Sequence, residues 1–381
     1  MSAPADPAAA QAGLAAELRN LLPASAAVVD AHTHLGLDED GMSLDLAGLL
    51  GGLDEVAPDA RACAFPLHDP ERHPAYRLPN DRVLAWASES GGRVVPYCRL
   101  DPADDPVAEA ERCLALGARG IKLHPRAQAF GFDTPAMASI FEVARTARVP
   151  ILIHAGRGMP PMDALADVAL RHPEVPIVLA HAGAAGQGMF ASRLRDHPAA
   201  LYDTSCFSPF DVVELYARVP AERIVFASDA PYGRTTSGLF MALRVAAVAG
   251  LGDEDRRRLV GGTMQSVLDG AELPAATAPR LAERRAVDGR LLRASAYLSM
   301  AFGSLVGGAP GSMDPSRALP GIALARCVCR DPDPGDAGAA LARIDALLDA
   351  AEQLAPSAGP GSRDTIGLLH AAAVIAATET A

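Results

Sequence analysis

The sequence is poor in the features that mark secreted and membrane-embedded proteins. Its six cysteines are scattered through 381 residues without a CxxC pair, which argues against a disulfide framework. Its longest apolar run, residues 371–377, is far shorter than the ~18 residues that span a bilayer. The first twenty residues lack the basic segment and the continuous apolar core of a signal peptide. We therefore expect a cytoplasmic protein without a membrane partner.

Positive charge is also scarce, and lysine is almost absent. The chain has 34 Lys plus Arg against 46 Asp plus Glu, which gives a formal net charge of −12. Nucleic acids and anionic lipids require a basic face, so neither is expected as a partner. Lys122 is the only lysine, and the other 33 basic residues are arginine. The contrast raises the question of which chemistry at this position requires an ammonium group and not a guanidinium.

The apolar content, by contrast, is sufficient for a large core. Half of the residues are apolar, which excludes a disordered acidic chain. From residue 26 onward, short apolar runs alternate with longer helical patterns, and the runs predict strands over residues 26–30, 61–66, 93–99, 119–123, 150–154, 176–181, 199–204 and 223–228. Eight strands alternating with helices predict an α/β fold, a (β/α)8 TIM barrel. The alternative is an open doubly wound sheet, but the first strand lacks the glycine-rich loop that often follows it in that fold.

The sequence divides into three regions by pattern. Residues 1–25 contain a short helical lead-in, and residues 26–272 carry the alternating strands and helices of the barrel. After residue 272 the β-branched runs vanish and alanine-rich helical patterns replace them. We expect residues 273–381 to form a C-terminal all-helical extension that packs on the barrel.

Ionisable side chains follow the predicted strands at their carboxyl ends, where (β/α)8 barrels place functional groups. These residues are His32, His34, Lys122, His124, His154, His181 and Asp229. Taken singly, each has a simpler explanation: His154 or His181 as a core histidine bonded to backbone, and Asp229 as a helix N-cap. Together they are far more specific, because several imidazoles and a carboxylate at one rim suit a divalent metal.

Five motifs in one order strengthen this interpretation: VVDAHTHLG, RGIKLHPRAQAF, VPILIHAG, VPIVLAHAG and RIVFASDAPYG. They resemble the amidohydrolase superfamily, and within it the metal-dependent hydrolases related to aminocarboxymuconate semialdehyde decarboxylase. The resemblance covers roughly residues 26–270. It is specific for the superfamily and says little about the substrate.

The resemblance implies that His32, His34, His154 and Asp229 are metal ligands. It implies that His181 is either a ligand or an acid/base group, and that Asp229 also accepts a proton. Zinc is the first expectation for nitrogen and carboxylate donors, with Mn²⁺ or Fe²⁺ as alternatives. One ion is favoured over two.

Lys122 leaves three interpretations open. In some amidohydrolases a lysine on the fourth strand is carbamylated by CO₂ and bridges two metals, so Lys122 is a candidate metal ligand. In the decarboxylase-like branch one metal is usual, and Lys122 would then hold a substrate carboxylate or pair with Asp229. The third interpretation is a structural ion pair.

Further basic groups in the loops after the strands suggest an acidic substrate. Arg99, Arg126, Arg157 and His124 are candidate substrate-binding residues. A guanidinium binds a carboxylate through two parallel hydrogen bonds. We therefore expect a small-molecule substrate, with a carboxylate as the favoured anionic group.

The function favoured by these observations is a metal-dependent hydrolase acting on a small amide, lactone or related carbonyl compound. The main alternative is non-oxidative decarboxylation of a small unsaturated or aromatic acid at the same metal. A non-catalytic barrel scaffold and a barrel-type DNase are less favoured, the DNase because of the negative charge and because its family favours a carboxylate at the position of Lys122. The helical extension is a candidate homodimer contact.

Overall fold

The computed structural model describes residues 6–156, 159, 162–206, 208–280, 288–306, 315–358 and 363–379. Short strands, most of them completely buried, form its centre. They are β1 (Val29–Leu37), β2 (Ser43–Leu44), β3 (Arg61–Pro66), β4 (Val94–Pro96), β5 (Cys98–Arg99), β6 (Ile121–Leu123), β7 (Ile151–Ile153), β8 (Ile177–Leu179), β9 (Ala200–Asp203) and β10 (Ile224–Val225).

The strands form a closed parallel barrel. β1, β3 and β4 pair in one sheet, and β5 to β10 pair in sequence order in the other. β4 and β5 form one interrupted strand, because only Tyr97 separates them. The barrel closes where the Ala31 N–H donates to the Phe226 carbonyl at 3.0 Å and the Asp229 N–H donates to the His32 carbonyl at 2.9 Å. The predicted (β/α)8 architecture is thus confirmed.

Helices surround the barrel and continue beyond it. They are α1 (Pro7–Leu21), α2 (Leu46–Asp54), α3 (Arg77–Glu89), α4 (Pro106–Ala115), α5 (Pro125–Gln128), α6 (Pro135–Ala147), α7 (Asp163–Arg171), α8 (Gln187–Arg193), α9 (Pro209–Arg218), α10 (Thr235–Val248), α11 (Asp253–Arg257), α12 (Thr263–Leu268), α13 (Gly289–Val306), α14 (Leu319–Cys329), α15 (Gly338–Ala358) and α16 (Arg363–Thr378). Short 3-10 turns occur at His181–Gly183, Ala221–Arg223, Pro315–Ala318 and Gly335–Ala337, and a π turn at Arg258–Gly262.

The first strand differs from the sequence prediction. β1 does not end before His32 but continues to Leu37 and turns back through β2, which pairs with it in an antiparallel manner. Its register against β3 shifts between Asp30 and Thr33. This irregularity lies beside His32, so both histidines of the first motif project from within a strand and not from a loop.

The helices after residue 288 pack on one side of the barrel. α16 contacts α10, and α15 contacts α1. Glu17 of α1 joins these parts, because it accepts hydrogen bonds from Arg244 of α10 and from Arg343 of α15. Among the helices in the described ranges, none combines the length and apolarity required to cross a membrane.

Candidate metal centre

Three donor atoms meet at the carboxyl end of the barrel. His32 Nε2 lies 3.2 Å from His34 Nε2, and Asp229 Oδ1 lies 3.2 Å from the first and 3.1 Å from the second. Donors bound at about 2.0–2.1 Å around a tetrahedral ion lie roughly 3.4 Å apart, so this spacing suits one shared cation. Within the described residues, His32, His34 and Asp229 are the one group of three or more His, Cys, Asp or Glu donors this close together.

A second carboxylate orients His32. Asp203, at the end of β9, lies with its Oδ2 2.8 Å from His32 Nδ1, and both side chains are completely buried. An ionised carboxylate only accepts hydrogen bonds, so this contact places a proton on Nδ1. Nε2 of His32 is therefore the ring nitrogen that faces the other two donors. Carboxylate–histidine–metal arrangements use the same contact to fix the tautomer of a ligand.

The charges in this group also suit a cation. Burial lowers the pKa of His34 to about 3, so its imidazole is neutral at pH 7. Burial raises the pKa of Asp229, but the facing imidazole of His32 and the hydrogen bonds from both histidines outweigh it and hold that pKa well below its usual range. His34 Nδ1 is buried without a hydrogen-bond partner among the described residues. Two imidazoles and an ionised carboxylate are a donor set that a divalent metal would satisfy.

Asp229 has an unusual backbone conformation, with a φ of +60°. His181 shares this feature, with a φ of +57°. Left-handed backbone is uncommon for residues other than glycine, and such strain concentrates at functional sites. In both residues the conformation occurs just after a strand, at the rim where the side chains converge.

His154 and His181 form a neighbouring pair. His181 Nδ1 lies 2.6 Å from the Ser205 carbonyl oxygen, which requires a proton on Nδ1. His181 Nε2 therefore accepts from His154 Nδ1 at 3.1 Å, and His154 Nε2 is left buried without a partner among the described residues. Gly156 keeps this nitrogen uncovered, since a Cβ there would lie 3.1 Å from it. Burial and the facing His181 hold the pKa of His154 well below its usual range.

Lys122 lies completely buried beside the three donors. Its Nζ is 3.3 Å from His32 Nε2 and 4.5 Å from the centre of the Phe65 ring. Burial lowers the pKa of Lys122 to about 7, so a substantial fraction of the amine is neutral at that pH. A neutral amine is the form that reacts with CO₂, and the protonated form is a cation next to the donor group. Both functional interpretations of Lys122 therefore stay open.

The basic residues proposed to bind substrate have different surroundings. Arg99 is 1 % exposed, whereas Arg126 is exposed on α5. His124 accepts the Ala127 N–H at 3.1 Å and stacks on His154 with ring centres 3.9 Å apart. Arg157 lies outside the described residues.

Arg99 is the notable member of this set. Its guanidinium donates to the Pro66 carbonyl at 3.2 Å and to Gln128 Oε1 at 3.3 Å, and it contacts His68 Nδ1 at 3.3 Å. It also lies over the ring of Tyr76, 5.0 Å from the ring centre. In the described part of the chain, no carboxylate forms an ion pair with it. A buried cation that lacks a carboxylate partner favours an anionic ligand.

Asp203 and Ser205 were not among the residues identified from the sequence. Ser205 Oγ donates to Asp203 Oδ1 at 2.6 Å and lies 3.1 Å from His181 Nδ1, so it links the His32 and His181 sides of the site. The sequence does indicate Asp203 in one respect: it is a carboxylate near the end of the predicted strand over residues 199–204. Asp229 is indicated in the same way, by its position after the predicted strand over residues 223–228.

Comparison with known proteins gives the family. The amidohydrolase family model matches residues 29–267. No curated protein sequence matches the chain. Among solved structures, the apo form of IDCase from Metarhizium anisopliae has 15 % identity and a TM-score of 0.50, and the alignment covers 65 % of this chain and 98 % of that one.

Two further solved structures are similar at lower TM-scores. A probable 2-pyrone-4,6-dicarboxylic acid hydrolase from Acinetobacter baumannii, with citric acid bound, has 14 % identity, coverage of 64 % and 99 % of the two chains, and a TM-score of 0.49. A 2,6-dihydroxybenzoate decarboxylase from Rhizobium has 17 % identity, coverage of 64 % and 98 %, and a TM-score of 0.48. These alignments leave about a third of this chain uncovered. Because the family model spans well over half of the chain, the predicted membership is confirmed: the protein is an enzyme of the amidohydrolase family.

Proposed function

We propose that the protein is a metal-dependent hydrolase that acts on a small carbonyl compound, an amide, lactone or related ester, bearing a carboxylate. The observation that carries this proposal is the convergence of His32 Nε2, His34 Nε2 and Asp229 Oδ1 within 3.2 Å of one another, with the first histidine oriented by Asp203. We further propose a single Zn²⁺ and a cytoplasmic location.

The proposed metal ligands are His32, His34 and Asp229, with His154 as the fourth donor. The unpartnered Nε2 of His154 supports its inclusion, although this atom lies outside the group of three. A divalent ion held by these residues would act as a Lewis acid on a carbonyl and lower the pKa of a bound water from 15.7 towards about 7.

The protein's own groups then perform the proton transfers. Asp229 is ionised, so its carboxylate accepts a proton from the attacking water. That proton must then reach the leaving group. His181 carries its own proton on Nδ1, held by the Ser205 carbonyl, so its Nε2 is free to receive the proton from Asp229 and deliver it to the leaving group. Arg99 holds a substrate carboxylate with the guanidinium that no carboxylate of the described chain neutralises.

Decarboxylation of a small unsaturated or aromatic acid is the second candidate. The specific observation in its favour is the pair of buried basic groups, Arg99 and Lys122, on neighbouring strands at this rim. Two such groups would hold an acid with its carboxylate close to the metal ligands. Hydrolysis and decarboxylation therefore share one site and differ in the bond that breaks.

A two-part experiment tests the proposal. Zinc is titrated into metal-free protein, into His34→Ala and into His73→Ala, a control whose side chain is 64 % exposed. We expect tight binding by the parent and the control, and loss of binding in His34→Ala. The zinc-loaded protein is then incubated with carboxylate-bearing lactones and amides, and with aromatic acids while CO₂ release is followed. Zinc binding that His34→Ala leaves intact would contradict the proposed site, and CO₂ release without hydrolysis would select the second candidate.

A further inference from the structure

A cavity of about 340 Å³ lies directly beside the candidate metal centre. Its lining includes Asp229 and Ser205 from the rim of the barrel. It also includes Phe302 of α13, with Ile366 and His370 of α16. The barrel and the helical extension thus form this space together, although the family model ends at residue 267.

The walls of the cavity are largely apolar. Met42 and Met241 contribute from the barrel side, and Phe302 and Ile366 contribute from the extension. Met241 is 1 % exposed and Phe302 is 3 % exposed, so packing holds both side chains in place. Pockets of a few hundred cubic ångströms with such walls take small organic groups and exclude water from them.

The charges around the cavity do not favour the binding of an ionic group there. Its charged lining residues within the described ranges are Asp229, which belongs to the metal centre, and Arg234. Arg234 is already neutralised, because it pairs with Glu55 at 3.0 Å and with Asp364 at 2.7 Å. An anionic or cationic substituent would therefore lose its hydration here without gaining a counter-charge.

His370 is the polar group of the extension in this cavity. Its ring meets the Phe302 ring edge to face, with centres 5.6 Å apart. Burial lowers the pKa of His370 to about 4, so the imidazole is neutral, and its Nδ1 is buried without a partner among the described residues. A neutral imidazole beside apolar walls suits an uncharged ligand.

We propose that this cavity binds an uncharged, apolar portion of the substrate, an aromatic ring or a branched aliphatic group, and that Phe302, Ile366 and His370 of the helical extension select it. The inference rests on the proposed function, since it places the reacting group at Asp229. It assigns the extension a direct part in substrate choice. A substrate that consists of the reacting group alone would leave the cavity empty and bind more weakly.

Two zinc-chelating probes of different size test this proposal: acetohydroxamic acid, which has only a methyl group beside the chelating head, and benzohydroxamic acid, which adds a ring. Their dissociation constants are measured by calorimetry on the zinc-loaded parent, on Ile366→Trp, which fills the cavity, and on Leu292→Trp. Leu292 is a matched control, because it lies on the extension with 47 % exposure and outside the cavity lining. Circular dichroism and melting temperature establish that each variant folds.

We expect Ile366→Trp to raise the dissociation constant of benzohydroxamic acid at least about tenfold, because its ring can no longer be buried. The dissociation constant of acetohydroxamic acid should not change. Leu292→Trp should match the parent with both probes. An unchanged ratio of the two dissociation constants in Ile366→Trp would overturn the inference. If Ile366→Trp does not fold, Ile366→Ala replaces it. We then expect weaker binding of benzohydroxamic acid alone, and affinities for both probes equal to those of the parent would contradict the inference.

A separate probe distinguishes this inference from the proposed function. If the parent binds neither zinc nor the hydroxamates, the proposed metal centre is wrong. Binding of indole, which needs no metal, is then measured on the metal-free parent and on Ile366→Trp. Saturable binding that the tryptophan abolishes would support the apolar cavity on its own, and absence of indole binding by the parent would overturn it.

Discussion

Asp203 and His32 are joined by a buried 2.8 Å contact between residues 171 positions apart in the sequence. The contact fixes the imidazole with its Nε2 towards His34 and Asp229. It makes Asp203 a positioning residue for the proposed metal ligands.

Asp203→Asn should lower zinc affinity by about 10–100-fold. The amide keeps the shape of the carboxylate, but it lacks the negative charge and no longer fixes the tautomer of His32. Competition with a chelator measures the dissociation constant. Asp59→Asn, at an exposed turn, is the control and should bind as the parent does. Parent-like zinc affinity in Asp203→Asn would show that the contact is merely structural.

The metal content should be about one zinc per chain, because the described residues contain a single three-donor group. Elemental analysis after preparation with ¹³C-bicarbonate measures it, and ¹³C NMR and intact mass report on Lys122. We expect no carbamate signal. Two ions per chain together with a carbamate on Lys122 would establish the bridging interpretation instead.

Arg99→Gln should weaken the binding of benzoate to the zinc-loaded protein by about 10–100-fold, since a charge-assisted hydrogen bond contributes about 1.5–3 kcal/mol. Benzamide, which has the same shape without the charge, should bind unchanged. Calorimetric titration of both compounds provides the measurement, with Arg171→Gln, at the exposed end of α7, as the control. Equal losses for benzoate and benzamide would point to a disturbed fold and remove Arg99 from anion binding.

Glu17→Gln should lower the free energy of unfolding at pH 7 by about 1–2 kcal/mol, because charged hydrogen bonds to two arginines are weakened. Burial raises the pKa of Glu17, but the hydrogen bond from Arg343 and the nearby Arg244 outweigh it and lower the pKa below 4.5. The carboxylate therefore stabilises the fold fully above about pH 4.5, and this contribution is lost as the pH falls through the lower folded-state value.

The stability difference between parent and Glu17→Gln should consequently shrink below pH 4.5, as measured by urea unfolding at a series of pH values. Glu142→Gln is the control, because Glu142 pairs with Arg145 on an exposed surface and such pairs contribute little. A Glu17→Gln difference that persists at low pH would mean that the destabilisation comes from lost packing and not from charge.

Much of the barrel could be predicted from the sequence, because buried parallel strands consist of short apolar runs. The site could be located because functional residues of such barrels lie at the carboxyl ends of the strands. The predicted strand over residues 61–66 coincides with β3, and His32, His34 and Asp229 do meet. The partnership of Asp203 with His32 could not be predicted, since nothing local in either segment encodes which distant carboxylate faces which imidazole. The position of His154 against His181, beside the three-donor group, likewise depends on how β7 and β8 sit in the barrel.

The role of the C-terminal region was the least predictable feature. The alanine-rich patterns after residue 272 predict helices, and α16 is one of them, but such a pattern does not reveal which face of the barrel a helix will cover. The packing of α16 against α10 and α13 brings Ile366 and His370 to the cavity.

The left-handed backbone at Asp229 restricts what evolution can place there. Asparagine and glycine tolerate a φ of +60°, whereas β-branched and bulky residues do so at a considerable cost. A relative without an acidic residue at this point is therefore expected to carry Asn or Gly, each one nucleotide change from an aspartate codon.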